Sequence, residues 1–273
     1  MSRLAKVFEQ LAERGAKALV PYIVAGDPAP QHTVSLMHAL VDSGADIIEL
    51  GVPFSDPMAE GPTIQLAHER ALEHHVSLSQ VLDMVTAFRQ TNADTPVVLM
   101  GYTNPVEHMG YSQFAERAKQ AGVDGLLTVD MPPEEAGETS QLLRDAGMDN
   151  IFLLAPTSSD QRVAKVAALA SGYLYCVSLK GVTGAGHLDI DSVREQMQLI
   201  RQHSDLPVTV GFGIKDGESA SAIAPLCEGV VVGSALVDRL AKWDNAADTD
   251  KQIAEAVSLI ADIRKAIDAV ADV

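Results

Sequence analysis

Eight short apolar runs rich in β-branched residues recur along this chain, at 18–25, 46–50, 96–100, 125–129, 151–154, 173–177, 208–211 and 229–232, with helical patterns between them. The runs are almost continuously hydrophobic rather than alternating, which is the pattern of parallel strands covered on both faces. Eight β-then-α units predict an α/β fold, a single (β/α)8 barrel of the TIM type. A doubly wound sheet is the competing architecture. Its glycine fingerprint after the first strand is missing, because Ala25-Gly26-Asp27-Pro28 reads as a turn.

Residues 4–14 predict an extra amino-terminal helix that plugs the amino-terminal mouth of the barrel, and a short segment after the eighth run predicts a short extra helix. The last helix carries Ile253, Val257, Ile260, Ile263, Ile267 and Val270 at spacings of three and four, one apolar stripe to lay against the barrel. A length of 273 residues without a visible linker fits one barrel domain spanning 1–273. Aromatic residues make up only 4% of a chain that is 47% hydrophobic, so Val, Ile, Leu and Ala must fill the core.

Charge excludes one class of partner. The chain has 20 Lys plus Arg against 37 Asp plus Glu, a net charge of −17, and no basic cluster that could track a phosphodiester backbone. No run is apolar enough to span a membrane and no leader pattern opens the chain, so the expected compartment is the cytoplasm. Cys176 and Cys227 lack metal spacing and read as buried thiols, while His74-His75 would diverge on a helix; no metal is expected.

The chemistry gathers at strand ends. Glu49 closes the second run and enters the proline-braced acidic loop 52–62, which adds Asp56 and Glu60. Carboxylates at the carboxyl ends of barrel strands are placed for acid/base work. A second long loop, 179–190, holds Gly181, Gly184 and Gly186 and reads as a hinged lid. The seventh and eighth runs end in Gly211-Phe212-Gly213 and Gly233-Ser234, where barrels commonly seat a phosphate on backbone N–H groups and the start of a short helix. Gly211, Gly213, Gly233 and Ser234 are therefore candidate phosphate ligands, and Gly184 of the lid loop is counted with them.

Four segments taken together carry a resemblance over essentially the whole chain. They are Leu50-Gly51-Val52-Pro53-Phe54-Ser55-Asp56-Pro57 with Gly61-Pro62-Thr63-Ile64-Gln65, Ser178-Leu179-Lys180-Gly181-Val182-Thr183-Gly184, Val210-Gly211-Phe212-Gly213-Ile214, and Val231-Val232-Gly233-Ser234. In these motifs and their order the chain resembles the tryptophan synthase alpha chain family. The resemblance implies a lyase of tryptophan biosynthesis that cleaves indole-3-glycerol phosphate to indole and glyceraldehyde 3-phosphate. It also implies a beta-chain partner in an α2β2 heterotetramer, with pyridoxal phosphate held only by that partner and no cofactor in this chain.

Carried onto this sequence, the family pattern implies Glu49 and Glu60 as catalytic residues. Tyr22, Met100, Leu127, Leu153, Tyr175, Thr183 and Phe212 become substrate contacts, and for the strand residues core packing is an equal reading. Pro53, Phe54, Asp56, Pro57, Asn104 and Gly181 match positions that meet the beta chain, with Phe54 expected to stand exposed beside the prolines. Asp130 is expected to orient a neighbouring loop. One position departs from the pattern: Glu60 stands where the family usually has Asp, keeping the charge and adding a methylene. Three other readings remain open, namely a regulatory alpha subunit weakened at Glu60, a free-standing lyase, and a Schiff-base phosphosugar aldolase using Lys180.

Overall fold

The chain closes into a barrel of eight parallel strands in sequence order, each hydrogen-bonded to the next, with the eighth returning to the first through Ala18 opposite Gly229. The computed structural model describes residues 2–178, 190–211 and 213–271. The strands are β1 (Ala18–Val24), β2 (Ile48–Gly51), β3 (Val97–Gly101), β4 (Gly125–Thr128), β5 (Asp149–Leu154), β6 (Leu174–Val177), β7 (Val208–Gly211) and β8 (Gly229–Val232). All eight predicted strands are present, and the fold is the predicted (β/α)8 barrel.

The period of two divides the apolar runs between two cores. Val20, Tyr22, Val98, Met100, Leu127, Ile151, Tyr173, Tyr175 and Val231 pack together inside the barrel. Leu19, Ile23, Ile48, Leu50, Leu99, Leu126, Leu154, Cys176, Val210 and Val232 face outward against the helices. Covering both faces explains why the runs are almost continuously hydrophobic.

Helix α1 (Arg3–Glu13) starts at Ser2, whose hydroxyl accepts from the Ala5 amide and donates to Asp149 at 3.0 Å. Its buried Leu4, Phe8 and Leu11 join the inner core, and the Phe8 ring lies 5.8 Å from that of Tyr173. The helix therefore seals the amino-terminal mouth. Below it, the nearly buried carboxylate of Asp124 accepts from Arg3 at 2.9 Å, Arg89 at 2.7 Å and the Val97 amide at 2.8 Å.

Two further helices on the opening side matter for the site: α2 (Thr33–Asp42), after β1, and α3 (Pro62–Glu73), after β2. Helix α3 begins with Gly61 at its cap and Pro62 in its first turn, where a missing N–H does no harm. The predicted short helix after β8 is Ser234–Leu240, and the last helix runs Thr249–Ala271. Its stripe is buried from Ile253 through Ile267, while Val270 is only half-buried. Among the described residues, no helix is long and apolar enough to cross a membrane.

Candidate active site

Glu49 lies on β2, opposite Tyr22 of β1 and Val98 of β3, and is fully buried. Its Oε1 accepts a 2.7 Å hydrogen bond from the hydroxyl of Tyr173, just before β6, while Oε2 has no partner among the described residues. Burial pushes the Glu49 carboxyl up to about 7, against the opposing pull of the Tyr173 hydrogen bond. A carboxyl that changes protonation near neutrality in an apolar chamber is equipped both to give and to take a proton.

The apolar wall predicted around it assembles. Tyr22, Met100, Leu127 and Tyr175 are buried in the inner core, and half-buried Leu153 packs against them. Tyr22 and Tyr175 each settle over a glycine at a strand's carboxyl end. A side chain on Gly51 would come within 2.4 Å of the Tyr22 hydroxyl, and one on Gly211 within 1.8 Å of the Tyr175 hydroxyl. Gly211 thus makes room for a tyrosine as well as standing in the candidate phosphate turn. Burial, then Glu60, then Glu49 raise the Tyr22 hydroxyl well above its ordinary value, so this phenol feels both acidic groups.

Glu60 is buried at the end of the loop after β2, and its carboxylate accepts a hydrogen bond from the hydroxyl of Tyr102. Burial raises the Glu60 carboxyl, and the Tyr102 bond works the other way. Tyr102 is raised by burial and by its bond to Glu60. Its oxygen also accepts the Ala59 amide at 2.9 Å, and its ring stacks on Phe54 with centroids 4.9 Å apart. That stacking half-buries Phe54, contrary to the expectation of an exposed ring. The large apolar residue that this loop exposes is Met58, at 85%. Pro53 is also buried, whereas Asp56 and Asn104 stand in solvent and Pro57 is half-buried.

Tyr102 and Tyr173 were not singled out from the sequence. Both obey the period of two, Tyr102 following Met100 and Tyr173 preceding Tyr175, and that spacing was the available signal. Asp130 accepts from the amide and the hydroxyl of Thr103 at 2.8 and 2.9 Å, orienting the loop after β3 as expected. An acidic cleft lined by Glu107, Asp130, Glu135 and Glu138 opens beside it.

At the opposite side of the mouth, Gly213 has φ +77° and is exposed, Gly233 precedes the helix Ser234–Leu240, and Ser234 is exposed at its start. The Gly211 carbonyl accepts from the amide and hydroxyl of Ser178 at 3.1 and 2.7 Å. Lys180, Gly181, Thr183, Gly184 and Phe212 lie outside the described residues. Cys176 and Cys227 are buried thiols, pushed up to about 12 by burial.

A sequence profile of the family described as tryptophan synthase alpha chain matches residues 8–268. The chain belongs to that family. The tryptophan synthase alpha chain of Thioalkalivibrio sulfidiphilus is 58% identical over 268 residues, covering 98% of this chain and 100% of the relative. That of Cupriavidus taiwanensis is 59% identical over 271 residues, with the same coverage. The crystal structure of tryptophan synthase subunit alpha from Legionella pneumophila superposes with a TM-score of 0.88 at 45% identity, covering 98% of this chain and 99% of that one. A chain of Mycobacterium tuberculosis tryptophan synthase gives 0.87 at 36% identity, covering 97% and 98%. Membership of the tryptophan synthase alpha chain family gives this barrel a lyase role in tryptophan biosynthesis.

Proposed function

We propose that the chamber around Glu49 performs the retro-aldol cleavage of indole-3-glycerol phosphate to indole and glyceraldehyde 3-phosphate. The observation that carries this reading is the state of Glu49: fully buried, one oxygen held by Tyr173, the other without a partner among the described residues, and a carboxyl pushed by burial up to about 7.

In its acid form Glu49 gives its proton to C3 of the indole ring, which becomes tetrahedral while positive charge develops toward the ring nitrogen. Glu60 offsets that charge. The resulting Glu49 carboxylate then takes the proton of the hydroxyl next to the breaking bond. The hydroxyl oxygen becomes the aldehyde carbonyl, the carbon–carbon bond breaks, and its electron pair returns to the ring to regenerate aromatic indole. Glu49 recovers its proton in the same step, so one carboxyl serves both transfers.

Tyr22, Met100, Leu127, Leu153 and Tyr175 enclose the apolar ring, with Thr183 and Phe212 as further contacts. The phosphate lies at Gly184, Gly211, Gly213, Gly233 and Ser234, where backbone N–H groups meet the anion despite the net charge of −17. The loop bearing Pro53, Phe54, Asp56 and Pro57, together with Asn104 and Gly181, meets the beta chain in an α2β2 assembly. Exposed Met58 supports that reading. Pyridoxal phosphate belongs to the beta chain, this chain works as one domain in the cytoplasm, and it needs no metal.

Indole release from indole-3-glycerol phosphate, measured with and without beta chain, tests the assignment. Release stimulated by the partner and abolished in Glu49→Gln is expected. Undiminished release in Glu49→Gln would remove Glu49 from the chemistry. The Tyr102–Glu60 hydrogen bond favours a second reading, a regulatory alpha subunit whose Glu60 is withheld from substrate. It requires negligible cleavage by the parent together with acceleration of the beta reaction.

A further inference from the structure

Helix α3 anchors the loop that ends in Glu60. The Gln65 side chain donates to the Glu60 carbonyl at 2.9 Å and to the Pro57 carbonyl at 3.4 Å. Further along the helix, Arg70 forms two hydrogen bonds, of 2.6 and 2.9 Å, with the fully buried carboxylate of Asp27 in the turn after β1. The helix is thereby held to the barrel.

Between these two anchors stands His68, three residues after Gln65 and only 1% exposed. Its Nδ1 accepts the amide of Phe54 at 3.1 Å, and Nε2 lies 3.4 Å from the hydroxyl of Tyr22. An acceptor role for Nδ1 places the ring proton on Nε2, directed at the tyrosine oxygen. Tyr22 is hemmed in on its other side by Gly51. Burial lowers His68 to about 4, so the neutral ring keeps its Nδ1 acceptor at neutral pH.

We propose that His68 is a positioning residue that clips the loop carrying Glu60 to the tyrosine wall of the substrate chamber, joining the Phe54 amide on one side of its ring to the Tyr22 hydroxyl on the other. The inference rests on the lyase reading for its catalytic consequence and on geometry alone for the clip. Phe54 belongs to the segment assigned to the beta-chain contact, and its ring stacks on Tyr102, which holds Glu60. His68 therefore ties the partner-facing loop, the second carboxylate and the indole pocket into one unit, through its two hydrogen bonds and the Phe54–Tyr102 ring stack. The seven residues from Phe54 to Glu60 would otherwise be held to the barrel by Tyr102 and Gln65 alone among the side-chain bonds described.

The test compares His68→Leu, which removes both bonds at similar volume, with His68→Asn, whose amide oxygen can replace Nδ1 as acceptor for Phe54. Each is assayed with beta chain for kcat and KM of indole release, for Phe54 amide hydrogen exchange, and for thermal unfolding. The tautomer of His68 in the parent is read by nitrogen-15 NMR. Small displacements of catalytic groups cost one to two orders of magnitude, so kcat should fall about tenfold or more in His68→Leu with KM nearly unmoved. Phe54 exchange should accelerate in the same variant, and His68→Asn should recover most of both.

A Leu variant with parental kcat and parental Phe54 exchange would overturn the proposal, as would an Asn variant as impaired as Leu or a parent with its proton on Nδ1. A loss of kcat explained wholly by a smaller folded fraction would do the same. If the parent releases no indole, the lyase reading fails, while the tautomer and Phe54 exchange still decide whether the clip exists.

Discussion

Tyr173 donates to one oxygen of Glu49 across 2.7 Å, and the other oxygen of that buried carboxyl has no partner among the described residues. A carboxylate needs more hydrogen bonds than this to stay charged in an apolar interior, so burial prevails and raises it from an ordinary value near 4.5 to about 7. Because the folded value lies above the unfolded one, the folded state holds the proton more tightly. The stabilising difference is complete below about pH 4.5 and is lost as pH rises through 7.

Glu49→Gln should therefore stabilise the protein at pH 8 by up to about 3 kcal/mol, the product of a shift of roughly 2.5 pH units and ~1.36 kcal/mol per unit. At pH 4, where both side chains are neutral, the gain should vanish. Urea unfolding of parent and variant at the two pH values checks this, and an equal gain at both would show that ionisation of Glu49 is not the cause.

The proposed role of the same carboxyl carries a pH dependence. If the acid form of Glu49 starts the cleavage proposed above, kcat/KM for indole-3-glycerol phosphate should fall above pH 7, approaching tenfold per unit. Tyr173 holds the charged form down in pKa. Tyr173→Phe should move the fall to higher pH, and an unchanged or lowered midpoint in the pH–rate profile would contradict this assignment.

The strands were legible because a parallel barrel requires hydrophobic residues on both faces, and that demand leaves continuous apolar runs that few other structures need. Boundaries slipped where a side chain replaced a ladder bond. The second run was expected to start at 46, yet β2 begins at Ile48, because the Asp46 carboxylate accepts the Leu19 amide at 2.8 Å and the Arg264 guanidinium at 2.9 Å. Glu49 could be read as a candidate from its place at a strand end. Its partner Tyr173 is 124 residues away, and only closure of the barrel brings the two together. His68 was invisible for a related reason: its two contacts lie 14 and 46 residues back along the chain, and a lone histidine on a helix announces neither.

Glu60 and Tyr102 should behave as a coupled pair. The hydroxyl of Tyr102 meets the carboxylate at the end of the Glu60 side chain, and Glu60→Asp would withdraw that carboxylate by one methylene. Tyr102→Phe should slow partner-stimulated indole release in the parent, and it should cost less in the Glu60→Asp background. A coupling of about 1–2 kcal/mol in the double-mutant cycle is expected for a charge-assisted bond between neighbours. Strictly additive effects on kcat would mean that Tyr102 does not act through Glu60.

The opposite end of the barrel should govern stability without touching the chemistry. Arg89, 11% exposed, binds the Asp124 carboxylate and also donates to the carbonyls of Thr95 at 2.6 Å and Gly122 at 2.9 Å. Arg89→Met leaves Asp124 to the half-exposed Arg3 and the Val97 amide, and takes the guanidinium from the Thr95 and Gly122 carbonyls. Breaking a buried ion pair from one side costs about 3–5 kcal/mol, because the remaining charge stays desolvated. The midpoint of urea unfolding should drop accordingly, while kcat per folded molecule stays at the parental value. A variant as stable as the parent would show that Arg3 alone compensates Asp124, and a reduced kcat at full folding would show that the amino-terminal seal reaches the active site.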